Sequence, residues 1–357
     1  MKDILMFKVC TRCITFNHSA YIKDTFQGFI MQQTSFPVVY AVIDDASTDG
    51  ESEIIKDYMS ENFDLNDKDV VQIEETDDYS LVFAQHRDNK NCYFAYYLLK
   101  YNHWSLGAFM KKYDYIYKWE KNAKYIATCE GDDFWTDKMK LQKQVTFMDS
   151  HPAYSACFHS YDILTKNGIS RYTNHSNVER DYSTDIFIHN EGLFCHMSSL
   201  VYKRECVSDL PRFRQMALDG CRYGDWPLTI QLSLSGNLHY LPDVMSCYRF
   251  LTDNSWTLRV TKDKQVLYKH WINEISWLKE LDNYTNGEFR GVIYYRIALN
   301  QLDLYKGSVI PRKEVINSIK QVSTFSDKKV LIKRLLLFEY PAFFKPYSSL
   351  KKIIKRK

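Results

Sequence analysis

No glycine-rich phosphate loop stands in this chain. Gly-x-Gly-x-x-Gly does not follow the first apolar stretch, and the P-loop pattern GxxxxGK(S/T) occurs nowhere. Dinucleotide-binding and P-loop readings thereby lose their main support. Glycine and proline are scarce, at 12 and 8 residues, and with 25% of residues charged the composition argues against disorder. No run approaches the roughly 18 apolar residues of a membrane span. The amino terminus, interrupted by Lys8, lacks the apolar core of a secretion signal, so a cytoplasmic protein is expected. A net charge of +3 is too small to imply a nucleic-acid partner. Nine cysteines, an odd number scattered from Cys10 to Cys247, fit reduced and mostly buried thiols. Cys10 and Cys13 lie in an expected strand, where residues three apart face opposite sides, which argues against a redox or zinc role.

What is present is apolar and aromatic. The 45% hydrophobic residues are ample for a core, and 357 residues suggest about two domains. The 27 Tyr and 21 Phe supply amphipathic stacking surfaces of the kind that sugar or nucleoside ligands use, although strand-rich cores use them too.

Residues 7–16 read as a first strand, and Ser19 can cap a helix with Ile22, Phe26, Phe29 and Ile30 at helical spacing. Val38 to Ile43 is almost wholly apolar, hence a central parallel strand, and runs into Asp44-Asp45-Ala46-Ser47-Thr48-Asp49-Gly50. A helix over 51–62 and a short strand over 70–73 complete a β-α-β-α-β order, the nucleotide-binding half of a doubly wound sheet. Between Asp77 and Lys124 the aromatic-rich pattern suggests a helix or two over the nucleotide site. Lys111, Lys112 and Lys121 there read as a solvated face or as contacts to a diphosphate.

Tyr125-Ile126-Ala127-Thr128-Cys129 is a further buried strand, ending at once in Glu130-Gly131-Asp132-Asp133. Ligands of open α/β sheets bind beyond the carboxyl ends of the strands, and clustered oxygen donors suit Mg²⁺ or Mn²⁺. Each acid taken alone is explained by turn or capping chemistry. Three polar clusters at three successive strand ends, Thr15 with Asn17, Asp44 with Asp45, and Asp132 with Asp133, are harder to dismiss. Asp45 can accept the imide N–H of uracil, with Phe16 as stacking partner.

A helix over 138–150 and strands over 154–164, 194–202 and 238–248 are expected downstream. Asp225-Trp226-Pro227 opens another helix, and Asp225 reads either as an N-cap or as a general base at the mouth of the sheet. From about residue 258 only helical patterns remain. The Lys/Arg-rich stretch 328–357, interleaved with apolar residues, reads either as a segment on an anionic membrane surface or as a docked helix with a basic tail.

Thr15-Phe16-Asn17, Ile43 to Gly50, Glu130 to Asp137 and Gly224 to Leu228 together strongly resemble family 2 glycosyltransferases of the GT-A fold, notably bacterial enzymes of surface-polysaccharide assembly. The resemblance covers about residues 7–257. It implies an α/β fold with a Rossmann-like, mostly parallel central sheet flanked by helices. The glycosyltransferase domain would span 1–257, with a nucleotide-binding half of about 1–135 and an acceptor half of 136–257, and a helical region would occupy 258–357. By the same resemblance Thr15, Phe16 and Asn17 line the base pocket and Asp45 binds the base. Asp133 is the direct ligand of a divalent metal, Mn²⁺ or Mg²⁺, and Asp132 lies nearer the ribose or donor sugar. Asp225 activates the acceptor, and Trp226, Arg249 and Trp256 are acceptor or diphosphate contacts. Where the family often carries a metal-binding His, this chain has Leu251.

The implied activity is inverting transfer of a sugar from a nucleoside-diphosphate donor, a uridine one, to a saccharide or lipid-linked saccharide. The place would be the cytoplasm or the inner face of the cell membrane. Two alternatives compete. A sugar nucleotidyltransferase would carry a Gly-rich, basic loop after the first strand, which Asn17-His18-Ser19-Ala20 is not. A non-catalytic nucleotide-binding relative is favoured only by Leu251.

Overall fold

The computed structural model describes residues 6–108, 110–173, 175–190, 192–208, 225–250 and 263–341. Val38–Asp44 (β2) is buried at every position. It lies between two parallel neighbours, Phe7–Thr15 (β1) and Cys92–Leu99 (β5). Ala123–Thr128 (β6) pairs parallel with the far side of β1. Strands covered on both faces read as unbroken apolar runs, which is why β2 and β6 stand out in the sequence.

Outward from this parallel centre the pairing becomes mixed. Beyond β5 lie Tyr79–Gln85 (β4) and Gln72–Glu75 (β3). Beyond β6 come Val201–Lys203 (β11), Tyr154–Thr165 (β8), Asn237–Arg249 (β12) and Arg180–Tyr182 (β10). These outer pairings are antiparallel throughout except between β8 and β12, which run parallel. Gly168–Arg171 (β9) hairpins onto β8, and Phe134–Trp135 (β7) pairs with β12. Helices Ile22–Ile30 (α1), Glu51–Asn62 (α2), Lys111–Glu120 (α3) and Lys140–Ser150 (α4) follow in chain order. Phe26 and Phe29 of α1 pack with Tyr40, Phe94 and Trp135 in the core on one face of the sheet. The mixed α/β class and mostly parallel central sheet are as expected.

Local expectations fare unevenly. Residues 79–99 form two strands where helix was expected, and only α3 is helical in that region. Phe194 to Leu200 is largely 3₁₀ turns, Gly192–Cys195 and Met197–Ser199, and the strand starts at Val201. Ser19 does not cap α1, which begins at Ile22; its backbone N–H donates to Asp49 instead.

The chain divides into two compact units. The first holds the described residues of Met1–Ser183, Gly192–Leu210 and Thr229–Asp253, and the second those of Thr184–Glu191, Pro211–Leu228 and Asn254–Lys357. Glu205–Ser208 (α6) belongs to the first and Thr184–Asn190 (α5) to the second. Asp225–Ser235 (α7) contributes its opening turn to the second unit and the rest to the first. The described helices of the second unit are completed by Lys264–Tyr284 (α8), Arg290–Lys306 (α9), Arg312–Gln321 (α10) and Phe325–Glu339 (α11). Its core gathers Tyr295, Ala298 and Leu302 with Val315, Ile319, Leu331 and Leu335. Among the described residues no helix is long and apolar enough to cross a membrane.

Candidate functional site

Parallel pairing of β1, β2 and β6 brings their carboxyl ends side by side, and the loops leaving them are tied to one another. The Asp45 N–H donates to the Thr15 carbonyl at 3.0 Å, and the Gly131 N–H to the Ile14 carbonyl at 3.1 Å. Gly131 is required by close approach: a Cβ there would fall 2.1 Å from Thr15 Oγ1. Asn17 and Ala46 both adopt left-handed backbone, at φ 57° and 60°, so each loop doubles back at its strand end.

The turn after β1 is held by side chains from the turn after β2. Ser47 Oγ accepts the Asn17 N–H at 2.9 Å, Glu51 accepts the His18 N–H at 2.9 Å, and Asp49 accepts the Ser19 N–H at 2.9 Å. Asn17 Oδ1 returns the tie by accepting the Thr48 N–H at 2.8 Å. Glu51 is fully buried and also receives the hydroxyls of Thr15 and Ser47. Sequence reasoning missed Glu51, because an acid in the first turn of a helix is ordinary. Thr15 is buried beneath this network, whereas Phe16 is 37% exposed.

Asp44 and Asp45 are both buried. Desolvation pushes the Asp44 carboxyl up to about 6 against the Ser47 N–H that it accepts at 2.8 Å. Asp45 accepts the His103 N–H at 2.7 Å, the Trp104 N–H at 3.3 Å and Lys112 Nζ at 2.7 Å. Three of a carboxylate's roughly four acceptor positions are thus filled from the segment after β5, leaving one for an incoming N–H. Lys112 is buried, so it belongs neither to a solvated face nor to a free diphosphate-binding edge.

At the third strand end Asp133 is 2% exposed. Its Oδ1 accepts the backbone N–H of Arg249 at 3.0 Å, and its Oδ2 lies 3.7 Å from His196 Nε2. His196 Nδ1 faces the hydroxyl and backbone N–H of Ser198, so the ring proton sits on Nε2 and points towards Asp133. Asp132 has His18 Nε2 at 3.8 Å from its Oδ2. The guanidinium of Arg249 donates to the Asp132 carbonyl at 2.6 Å, pairs with Asp24 and lies over the Phe134 ring. Arg249 therefore clamps the acidic loop. His18, His196 and Asp24 were not foreseen, and only the nearness of His18 to Asn17 hinted at any of them.

Asp132 and Asp133 offer hard oxygen donors. Desolvation, then the charges of Asp132 and Glu130, hold the Asp133 carboxyl well above the usual range, a penalty that a nearby cation would relieve. Among the described residues no three carboxylate, imidazole or thiolate groups are grouped to hold a metal ion. The pair fits a divalent cation that takes the rest of its shell from water and phosphate, as Mg²⁺ does at diphosphate sites.

Asp225 and Trp226 open α7 in the second unit. Asp225 is partly exposed, and desolvation raises its carboxyl to about 6. Trp226 has the contacts of a core residue: its indole N–H donates to the Phe187 carbonyl at 2.7 Å and its ring packs against Trp277. Trp256 and Leu251 lie outside the described residues.

No family model matches the chain. Uncharacterised proteins of Mycobacterium tuberculosis and Mycobacterium bovis are 29% identical over 246 residues, 68% of this chain but only 59% of theirs. Among solved structures, residues 1–349 of Staphylococcus aureus TarS in complex with UDP match at TM-score 0.48 and 14% identity, covering 93% of this chain and 80% of that one. The mannosyltransferase PcManGT of Pyrobaculum calidifontis, with GDP-Man and Mn²⁺, matches at TM-score 0.46 and 13% identity over 98% and 84%. GalNAc-T7 with UDP, GalNAc and Mn²⁺ matches at 0.47 and 10% over 96% and 58%. Likeness at this distance leaves donor, acceptor and metal to be argued from the residues of this chain.

Proposed function

We propose that the chain is a nucleotide-sugar-dependent glycosyltransferase of the GT-A fold and the family 2 type, acting by inversion. The observation that carries this reading is the convergence of Thr15 to Asn17, Asp44–Asp45 and Asp132–Asp133 at three adjoining parallel strand ends. Phe16 stacks on the base, and the one acceptor position left on Asp45 takes an imide N–H, which selects uracil. Asp133 and Asp132 would hold Mn²⁺ or Mg²⁺, which supplies charge neutralisation for the departing diphosphate. Asp225, with its raised carboxyl, is basic enough to take the proton of an acceptor hydroxyl and still ionised near neutral pH. A single displacement by that hydroxyl inverts the anomeric centre. The acceptor is a saccharide or lipid-linked saccharide of a cell-surface polysaccharide.

The nucleotidyltransferase alternative loses further ground. Its phosphate loop needs free N–H groups after the first strand, and those of Asn17, His18 and Ser19 are spent on Ser47, Glu51 and Asp49. A peripheral membrane contact is proposed for α11 and the basic sequence after it. Phe325, Ile332, Leu337 and Phe338 are exposed on that helix, alternating with Lys328, Lys329 and Lys333. Unchanged liposome co-sedimentation after deletion of residues 328–357 would dispose of it.

Calorimetric titration with UDP, in Mn²⁺ and again in EDTA, tests the donor site. Binding that needs metal and is lost in Asp133→Ala is the expected result. Absence of UDP binding in both conditions would overturn the uridine-donor reading.

A further inference from the structure

β12 departs from its ladder with β8 at three places, the widest between Leu241 and Val244. Leu241 pairs with His159, but the next partner of β8, Ser160, meets Val244, so Pro242 and Asp243 bulge out. Proline has no N–H to donate to a ladder, which fixes the bulge there. Beside it opens a cavity of about 410 Å³ lined by Ser160, Arg171, Tyr172, His175, Asn177 and Tyr240, with Pro242 at its edge. That volume is within the roughly 300–1,000 Å³ of small-molecule sites.

The lining combines aromatic faces with hydroxyl and amide groups, the mixture that a sugar ring's apolar face and hydroxyl edge require. Its one charged side chain, Arg171, is paired through Nε with Asp162 at 2.6 Å, which offsets the charge that it presents to an acidic ligand. His175 Nε2 lies 2.6 Å from the Phe194 carbonyl and carries the ring proton towards it, and Nδ1 is buried with no partner among the described residues. A chain of packed rings links the cavity wall to the acids at the strand ends. Tyr172 stacks on Tyr161 at 4.8 Å, Tyr161 meets the His196 ring at 5.1 Å, and His196 Nε2 is 3.7 Å from Asp133.

We infer that this cavity is a subsite for one neutral pyranose ring, which, on the transferase reading above, is a ring of the acceptor saccharide. Neutral sugars are favoured over uronic acids because Arg171 already has Asp162 as its carboxylate partner, and the Tyr172 ring supplies the stacking face.

Saturation-transfer NMR on the full chain tests this, with glucose, galactose, mannose and N-acetylglucosamine as neutral probes and glucuronate as the acidic one, each with and without UDP. At least one neutral sugar is expected to receive saturation, more strongly than glucuronate. The signal is expected to fall at least fivefold in both Tyr172→Ala and Asn177→Ala, with UDP affinity within twofold of the parent. Asn177 is exposed, so its replacement keeps the test open if the Tyr172 variant folds poorly. No transfer to any neutral sugar, preference for glucuronate, or undiminished signal in Asn177→Ala and a folded Tyr172→Ala would overturn the subsite. Sugar signals that the substitutions abolish in a protein that does not bind UDP would uphold the subsite while removing the donor reading.

Discussion

Lys112 Nζ lies 2.7 Å from Asp45 Oδ2, and both side chains are almost completely buried. The pair ties α3 to the end of β2, and the N–H groups of His103 and Trp104 complete the carboxylate's shell. Two opposite charges out of water tolerate each other but not the loss of one partner. Lys112→Met is therefore expected to cost about 3–5 kcal/mol, since it strands the Asp45 charge. Urea unfolding measures it. A midpoint equal to the parent's would mean that the pair is not buried as described.

The Asp225 carboxyl, raised to about 6 by desolvation, sets a pH limb. A general base must be deprotonated to act, so kcat/KM is expected to be level above pH 6 and to fall about tenfold per unit below it. Asp225→Asn should abolish transfer and leave UDP affinity within about twofold, because a base for the acceptor adds nothing to donor binding. Unchanged turnover in that variant would end the assignment.

How much of this was legible in the sequence follows from where each residue's environment comes from. β2 and β6 announce themselves because a strand buried on both faces must be apolar throughout, and the acids at their ends mark where it stops. The same property hid β5: Cys92–Leu99 is a continuous apolar and aromatic run with no alternation, and periodicity alone does not separate such a run from buried helix. Lys112 and Arg249 looked like solvated or ligand-binding cations, since nothing local reveals that Asp45 and Asp24 will meet them. Glu51 looked like helix-end decoration until the turn after β1 was laid over it.

Arg249 is where site and fold are hardest to separate. Its guanidinium reaches the Asp132 carbonyl and Asp24, while its backbone N–H, which any residue would supply, serves Asp133. Arg249→Met is expected to cost about 2 kcal/mol of stability through lost charge-assisted bonds. It should also weaken metal-dependent UDP binding roughly tenfold by loosening the acidic loop, about 1.4 kcal/mol. Calorimetry beside urea unfolding reads both. A stability loss without any change in UDP affinity would make Arg249 a brace for the fold alone.

Lys140 carries the clearest pH signature in the stability of the fold. It is fully buried, donates to Gln144 Oε1 at 2.8 Å and lies 4.2 Å from the centre of the Trp135 ring. Desolvation lowers it from 10.5 to about 7. Between those two values the unfolded chain holds a proton that the folded chain has released, so stability rises with pH across that window. The penalty is fully present below pH 7 and gone above 10.5. Lys140→Met keeps the length and removes the charge. Near pH 7 the variant is expected to be more stable than the parent by about 2–4 kcal/mol, part of the gain being offset by the lost contacts to Gln144 and Trp135. The difference should shrink steadily towards pH 10. Urea unfolding of both proteins at pH 7, 8.5 and 10 checks it, and a pH-independent difference would show that Lys140 is not titrating inside the fold.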